Sequence, residues 1–394
     1  MLRSELLTGK KNHLKILFIA GWYPSKKKPV SGIFIKEHAK AVLLYNEIIV
    51  LCSEGIGHST KNIYKIEDNI EDGIRTLRLR FQKFPIHKIT YFICLWSIFQ
   101  GFRKLMNEGW EPDIIHAHTF SAGVPAVILG KIYKIPVVIT EHWSGFSRHL
   151  LRKIDILIAR FAMNRAKIIF PVSKNLKKAI KSYGIKNRFE VVPNVVDTKI
   201  FYPSLKKDVH EIKKLLLVAA LSPIKGIPYL LQALTQLKRK RQDFILDILG
   251  YGPNREEYEK LMKELGLNKV VKFYGLKSKL EIAKFMRESD FFILPSLWEN
   301  LPCVLIEAMA SGLPIIASNV GGIPEILNKY IGILVKPKDI DELIKAINYM
   351  LDYYQNYSSD KISQYAKERF SCESVGKVLT EFYEEIIYGK KQNK

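Results

Sequence analysis

Residues 290–326 read DFFILPSLWENLPCVLIEAMASGLPIIASNVGGIPEI. An apolar run, Phe291 to Leu294, ends at Pro295, and a turn-prone segment follows from Ser296 to Pro302. Beyond it Val304, Leu305, Ala308 and Met309 share one helical face until Gly312 stops the pattern. A second short strand, Pro314 to Ala317, leads into a Gly321-Gly322 turn. A strand-to-helix turn of this kind exposes backbone N–H groups at a helix N-terminus, which suits an anionic or nucleotide ligand. Glu299 and Glu307 bracket the turn, and Glu307 falls about one and a half turns into the helix, close enough to the same mouth to accept hydrogen bonds from sugar hydroxyls. Two glutamates at this spacing are by themselves as compatible with solvated surface residues. The surrounding order of strand, turn, Glu, helix, Gly-Leu-Pro, strand and Gly-Gly is what distinguishes them.

Working outward, short β-branched runs alternate with helical stretches along the whole chain, which argues for parallel sheets covered by helices on both faces. In the first half the expected strands are 15–20, 48–52, 74–80, 114–117, 137–140, 168–171 and 190–192, with helical patterns at 34–44, 93–107, 122–132 and 151–165. No GxGxxG follows the first strand; Gly21-Trp22-Tyr23-Pro24 stands there instead, which weakens a dinucleotide-cofactor reading. A linker is expected over 193–208. Alternation then resumes with strands at 214–220, 244–250, 270–274, 291–294, 314–317 and 332–335. The expectation is therefore α/β, with two Rossmann-like doubly wound domains facing a cleft and ligands at the carboxyl ends of the strands. The divisions are 1–200, 201–370 and a closing helical segment, 371–394.

A chain of 394 residues, 47% hydrophobic and 26% charged, is long enough for two cores. Its net charge is +23, of which residues 1–200 carry +18. That asymmetry points to an anionic partner of the first half: a membrane surface, a phosphate-bearing acceptor or nucleic acid. A lysine-rich solvated face is the plainer alternative. Between Arg148 and Arg188 twelve basic residues stand against one acid, Asp155. Within that region Leu151, Ile154, Ile158 and Phe161 recur at helical spacing. Such a stripe fits a helix lying on an anionic membrane and equally a helix packed on a sheet; Tyr91, Phe92, Trp96, Phe99 and Phe102 add a second apolar neighbour. The four cysteines form no CxxC pair, so neither a zinc site nor a disulfide framework is suggested, and a reducing cytosol fits. Residues 1–13 lack the apolar core of a signal peptide, and the greasiest segment, 89–102, falls short of the roughly 18 residues a membrane span needs.

Several polar groups fall at expected strand ends. Ser222-Pro223-Ile224-Lys225-Gly226 opens a helix after the first strand of the second half, where Lys225 can meet a pyrophosphate or the segment can be an ordinary surface turn. Gly250-Tyr251-Gly252-Pro253 occupies the next strand end, as a ligand-approaching backbone or as a plain turn. His116 and His118 lie two apart; His118 is expected past the end of its strand, facing the cleft, and His116 inside. Glu141-His142-Trp143 converges on the same edge, and Ser31-Gly32 opens a helix that could admit a phosphate or sugar.

These motifs, GWYPSKKKPVSGIFIKEHA, PDIIHAH, PVVITEHW, PVSK, VVPNVVD, SPIKG and above all ENLPCVLIEAMASGLPIIASNVGGIPEI, resemble the retaining nucleotide-sugar glycosyltransferases of family 4 (group 1), with the GT-B fold, over nearly the whole chain. The resemblance implies an acceptor-binding first domain, a donor-binding second domain, and a final helix that crosses back to the first. It places Glu299, Asn300, Leu301 and neighbouring loop N–H groups at the donor sugar, Glu307 at the nucleotide ribose, Lys225 at the leaving diphosphate, Gly32 and Gly252 where the donor needs room, and His118 at the reacting sugar, with His142 and Trp143 on the acceptor side. It implies no cofactor beyond the nucleoside-diphosphate sugar and no metal, provided Lys225 and helix N-termini carry the leaving-group charge. Two positions depart from the family pattern: Ala220 stands where an Arg five residues before Lys225 is usual, and Asn194-Val195 replaces Asn-Gly. The expectation is a cytoplasmic enzyme, peripheral on the inner face of the plasma membrane, that glycosylates a lipid-linked saccharide in lipopolysaccharide, capsule or other surface-polysaccharide assembly. A transferase for a small soluble acceptor and a nucleotide-sugar 2-epimerase are the alternatives on the same fold. A basic nucleic-acid-binding protein ranks last, because no nucleic-acid-reading module is recognisable.

Overall fold

The computed structural model describes residues 13–25, 27–56, 63–204 and 211–389. The expected features of residues 1–12, the linker over 205–210 and the end of the closing segment at 390–394 lie outside them.

The first sheet has seven strands, β1 (Lys15–Ala20), β2 (Glu47–Ile56), β3 (Tyr64–Glu71), β4 (Ile74–Gln82), β5 (Ile114–His118), β6 (Val137–Glu141) and β7 (Ile168–Pro171), in the order β3-β4-β2-β1-β5-β6-β7. Its helices are α1 (Ile33–Leu43), α2 (His87–Asn107), α3 (Phe120–Tyr133), α4 (Lys153–Met163) and α5 (Lys174–Ser182). The second sheet runs β8 (Lys213–Val218), β9 (Phe244–Leu249), β10 (Val271–Gly275), β11 (Phe291–Leu294), β12 (Ile315–Ser318) and β13 (Gly332–Val335), in the order β10-β9-β8-β11-β12-β13. Its helices are α6 (Ile227–Lys238), α7 (Arg255–Glu264), α8 (Lys279–Glu288), α9 (Cys303–Ala310), α10 (Ile323–Ile326), α11 (Ile340–Tyr353) and α12 (Ser359–Phe370), followed by the last helix, α13 (Cys372–Tyr388).

The second sheet is wholly parallel and has the doubly wound order of a dinucleotide-binding fold. The first repeats that order except at one edge, where β3 pairs antiparallel with β4. This hairpin corrects the expectation of purely parallel pairing. β3 alternates charged and apolar residues and is half exposed, so it gave no buried-strand signal. The strand expected at 190–192 is also absent: its backbone runs extended beside β7, with Glu190 N–H bonded to Ile169 O at 3.1 Å and Val192 N–H to Pro171 O at 3.2 Å, but only one bridge forms before Pro193.

Both domains anchor their first strand in the same way. Asp113, just ahead of β5, accepts the Lys15 N–H at 2.7 Å, and Asp290, just ahead of β11, accepts the Lys214 N–H at 2.7 Å. Each carboxylate satisfies a backbone donor at the start of the central strand, Lys15 being the first residue of β1 and Lys214 the second of β8, and ties it to the strand on the far side of the topological switch. The carboxyl ends of β1 and β5 therefore face those of β8 and β11, and this is where ligands of such sheets bind.

The last helix joins the two units. α13 packs against α1, with Asn46 donating to Thr380 Oγ1 at 2.7 Å and Tyr383, fully buried, contacting His116 Nδ1 at 2.6 Å. A Cβ on Gly376 would lie 2.1 Å from the Ala41 carbonyl oxygen, so only glycine permits this helix approach. Replacing Tyr383 by Phe removes the partner of a buried imidazole nitrogen, a loss of about 1–3 kcal/mol. The expected result in differential scanning calorimetry is a fall of roughly 2–10 °C in the unfolding midpoint of the unit that contains the first sheet; an unchanged midpoint would show that the Tyr383 hydroxyl contributes nothing.

Candidate active site

In the second domain the loops after β8 and β11 knit together through their backbones. Leu297 N–H donates to Ile224 O at 2.7 Å, and Gly226, at φ 67°, lies so close that a Cβ would stand 2.0 Å from Pro295 O. This contact puts Lys225 beside Glu299: their Nζ and Oε1 atoms are 2.6 Å apart, and Ser296 Oγ donates to the same carboxylate oxygen at 2.7 Å. Gly321, at φ 58°, closes the other side, since a Cβ there would meet Glu299 O at 1.8 Å. Gly252 likewise packs on the Leu221 backbone, 2.2 Å from its oxygen to a built Cβ, so it serves loop-on-loop contact.

Glu307 sits on the inner face of α9, nearly covered, and its pKa is raised by burial, with Lys279 opposing and Glu37 adding to the shift. Its nearest cation is Lys279 at the start of α8, 4.0 Å away. Lys279 is also 2.9 Å from Glu37 of α1, in the other domain. Burial works against the Lys279 charge, but Glu37 and Glu307 outweigh it and keep its pKa above the usual lysine value. Ala220 is exposed just past β8, and among the described residues Lys225 and Lys279 are the cations paired with Glu299 and Glu307.

The facing wall belongs to the first domain. His118 is the last residue of β5, not a residue beyond it, and it is fully buried rather than open to the cleft. Its Nδ1 lies 3.2 Å from His142 Nε2, and its ring stacks between His116 and His142. His116 is buried as expected, held by Thr140 Oγ1 and the Tyr383 hydroxyl at 2.6 Å each. Glu141 ends β6 and accepts the N–H groups of Phe120, His142 and Trp143 at 2.8, 2.9 and 2.9 Å. Burial nevertheless raises its pKa to about 7 against those three bonds. Trp143 is half-buried against Phe120 and Phe146, and Gly32, at φ 70°, packs on the Trp22 backbone.

Asn300 and Leu301, expected at the donor, also bind the opposite domain. Asn300 Nδ2 donates to His142 O at 2.7 Å, and Asn194 Nδ2 donates to Leu301 O at 2.7 Å. Glu325 completes the seam by accepting the Lys174 and Asn175 N–H groups at 2.7 Å each, an anion placed at the N-terminus of α5. The structure thus brings Lys225 and Glu299 into contact, places Glu307 beside Lys279, and sets His118, His142 and Trp143 across the seam. Sequence reasoning passed over Glu37, His38, Asn194 and Lys279 as site residues. Glu37 and His38 carry the one signal that could have found them: adjacent polar residues inside an otherwise apolar helix face.

Two family models match successive stretches of the chain, "Glycosyltransferase Family 4" over residues 46–200 and "Glycosyl transferases group 1" over 205–369. Among characterised relatives, the MMP alpha-(1->4)-mannosyltransferase of Mycolicibacterium hassiacum is 33% identical over 66% of this chain and 62% of its own length. The glycogen synthase of Mycobacterium tuberculosis (strain H37Rv) is 22% identical over 96% of both chains. Among solved structures, Anabaena Alr3699/HepE in complex with UDP and glucose superposes with a TM-score of 0.73 at 21% identity, covering 94% of this chain and 99% of that one, a likeness of fold. With its two Rossmann-like sheets and a match to both halves of the family, the chain belongs to the group 1 (family 4) glycosyltransferases and has the GT-B fold.

Proposed function

We propose that the chain transfers a sugar, with retention of configuration, from a nucleoside-diphosphate sugar to a hydroxyl of a lipid-linked saccharide in surface-polysaccharide assembly. The observation that carries the donor half is the contact of Lys225 with Glu299 at 2.6 Å, at the switch point of the second sheet and with Glu307 on the adjoining helix. Donor diphosphate takes the Lys225 ammonium from Glu299, and the freed carboxylate turns to the sugar hydroxyls. Glu307 accepts from the ribose hydroxyls, which replaces its long contact with Lys279. The glycosidic C–O bond breaks as electron density moves onto the diphosphate oxygen, and Lys225 and Lys279 stabilise the charge that develops there. The acceptor oxygen attacks the same face and passes its proton to the departing phosphate, so no enzyme nucleophile and no metal enters the step. The HepE structure supports this reading by holding UDP and glucose on the same fold.

Two exposed apolar helix faces in the basic domain support a lipid-linked acceptor. On α2 and its approach, Ile86, Ile89, Phe92 and Trp96 are exposed, and on α4 so are Ile154, Leu157 and Phe161, interleaved with Lys153 and Arg160. Of the expected stripe, Leu151 and Ile158 pack against the core, whereas Ile154 and Phe161 face outward together with Leu157. Among the described residues no helix is long and apolar enough to cross a membrane. Docking of this face on an anionic membrane, at the cytoplasmic surface, would combine apolar insertion with attraction of about 1 kcal/mol per basic residue near the lipid.

With a panel of nucleotide sugars and lipid-extract acceptors, Lys225→Ala is expected to lower kcat by about 100- to 1,000-fold. Glu307→Ala should raise the donor KM by roughly tenfold, as for the loss of one or two hydrogen bonds. Full turnover by both variants would refute the site. In flotation with vesicles containing anionic lipid, the chain is expected to rise with the vesicles at low salt and much less at high salt, and the double variant Phe92→Glu, Leu157→Glu should stay at the bottom. Equal flotation of the variant would sink the membrane reading and leave a soluble acceptor.

A further inference from the structure

We propose that His38, His118 and His142 form a binding site for a single transition-metal ion of the zinc class. The three imidazoles come from α1, the end of β5 and the loop after β6, all are buried, and one nitrogen of each lies within 4.8 Å of the other two. Their neighbours determine which nitrogens carry lone pairs. Asn194 spends its N–H on Leu301 O, so its Oδ1 faces His142 Nδ1 at 3.2 Å and must accept from it. His142 Nε2 is then a lone pair. His38 Nε2 has only the Pro193 carbonyl oxygen as partner, at 3.0 Å, so that nitrogen donates and Nδ1 is a lone pair, buried and without a partner. His118 donates from Nδ1 to His142 Nε2, and its own Nε2 is also buried without a partner. His38 Nδ1 is thus a buried acceptor left unsatisfied beside two other imidazole nitrogens, a cost that a bound cation would remove.

The His118–His142 pair has the spacing of two ligands on a tetrahedral ion, and His38 stands within 4.8 Å of both. Metal–nitrogen bonds of about 2.0–2.1 Å place two ligand nitrogens roughly 3.3–3.4 Å apart, and His118 Nδ1 and His142 Nε2 are separated by 3.2 Å. Coordination through both requires only that the His118 proton move from Nδ1 to Nε2, with no proton released. Pro193 O and Asn194 Oδ1 hold the outer nitrogens of His38 and His142, the second-layer support that metal-bound imidazoles ordinarily have. The donor set is imidazole only, because the Glu141 oxygens are turned onto three backbone N–H groups. Such a set selects zinc, nickel or copper over magnesium, calcium or manganese. Burial depresses the basicity of all three rings, so protons compete little for the site at neutral pH. His142 is the one residue of the three with residual exposure.

The consequence for catalysis rests on the function proposed above. An ion held by His118 and His142 pins the wall that faces the reacting sugar and adds positive charge where a cationic transition state forms, so it inhibits transfer instead of assisting it.

The test uses the full chain, free of any histidine tag and stripped with a chelator, titrated with Co²⁺ and then Zn²⁺. The expected result is a tetrahedral visible absorption band that saturates at one equivalent of cobalt and is bleached by zinc. His38→Gln and His142→Asn should each weaken binding by at least about tenfold, with circular dichroism and metal-free melting curves confirming that the variants fold. Absence of the band, or wild-type binding by both folded variants, would overturn the site, since other histidines among the nine would then be responsible. In the transfer assay zinc should inhibit the wild type, and in His38→Gln the zinc concentration that halves the variant's own metal-free rate should rise by at least about tenfold. Cobalt binding without zinc inhibition would overturn the inhibitory role alone. Cobalt binding by a chain that transfers no sugar would count against the proposed function and not against the site.

Discussion

Two asparagines tie the two domains together across their seam. Asn300 of the second domain donates to the His142 carbonyl, and Asn194 of the first donates to the Leu301 carbonyl. Each amide satisfies a backbone acceptor that the approach of the two domains removes from water, where an unpaired group would cost about 1–3 kcal/mol. The pair also propagates inward. With its N–H committed to Leu301, Asn194 presents oxygen to His142, which orders the protons of the adjoining histidines. A contact between domains thus determines the protonation pattern of the wall that faces the donor loops.

Charge along the cleft is arranged in two short relays. Lys225 and Glu299 face each other within the second domain, whereas Lys279 lies between Glu307 of its own domain and Glu37 of the other. Both lysines meet carboxylates that a donor could replace with phosphate or hydroxyl groups. Ala220 carries no charge, and the cations that meet these carboxylates come from the start of α8 and from the loop after β8. A transferase that releases a diphosphate needs this charge in the transition state, and the desolvated environment makes each ammonium count for more than it would in water.

Much of this was legible in the chain itself. The period of the apolar runs, the breaks at Gly and Pro, and the position of each polar cluster at a strand end depend only on local sequence, so both sheets, the order of helices and the placement of Lys225, Glu299 and Glu307 could be read directly. β3 was not legible because its residues are amphipathic and half exposed, and the run at 190–192 was misread because an extended edge can lie beside a strand without completing a ladder. His118 was assigned to open cleft, since alternation alone does not say how much of a strand end a neighbouring domain and helix will cover.

The sequence by itself determined the two doubly wound domains, the family and the residue types at the mouth of the cleft, because hydrophobic period and turn chemistry act between near neighbours in the chain. Only the tertiary structure decided that Glu37 reaches Lys279, that His38 joins His118 and His142, that Tyr383 buttresses His116, and that Asn194 sets the histidine tautomers. These contacts join residues far apart in the chain, and they exist only once burial has removed water as a competing partner for every polar atom involved.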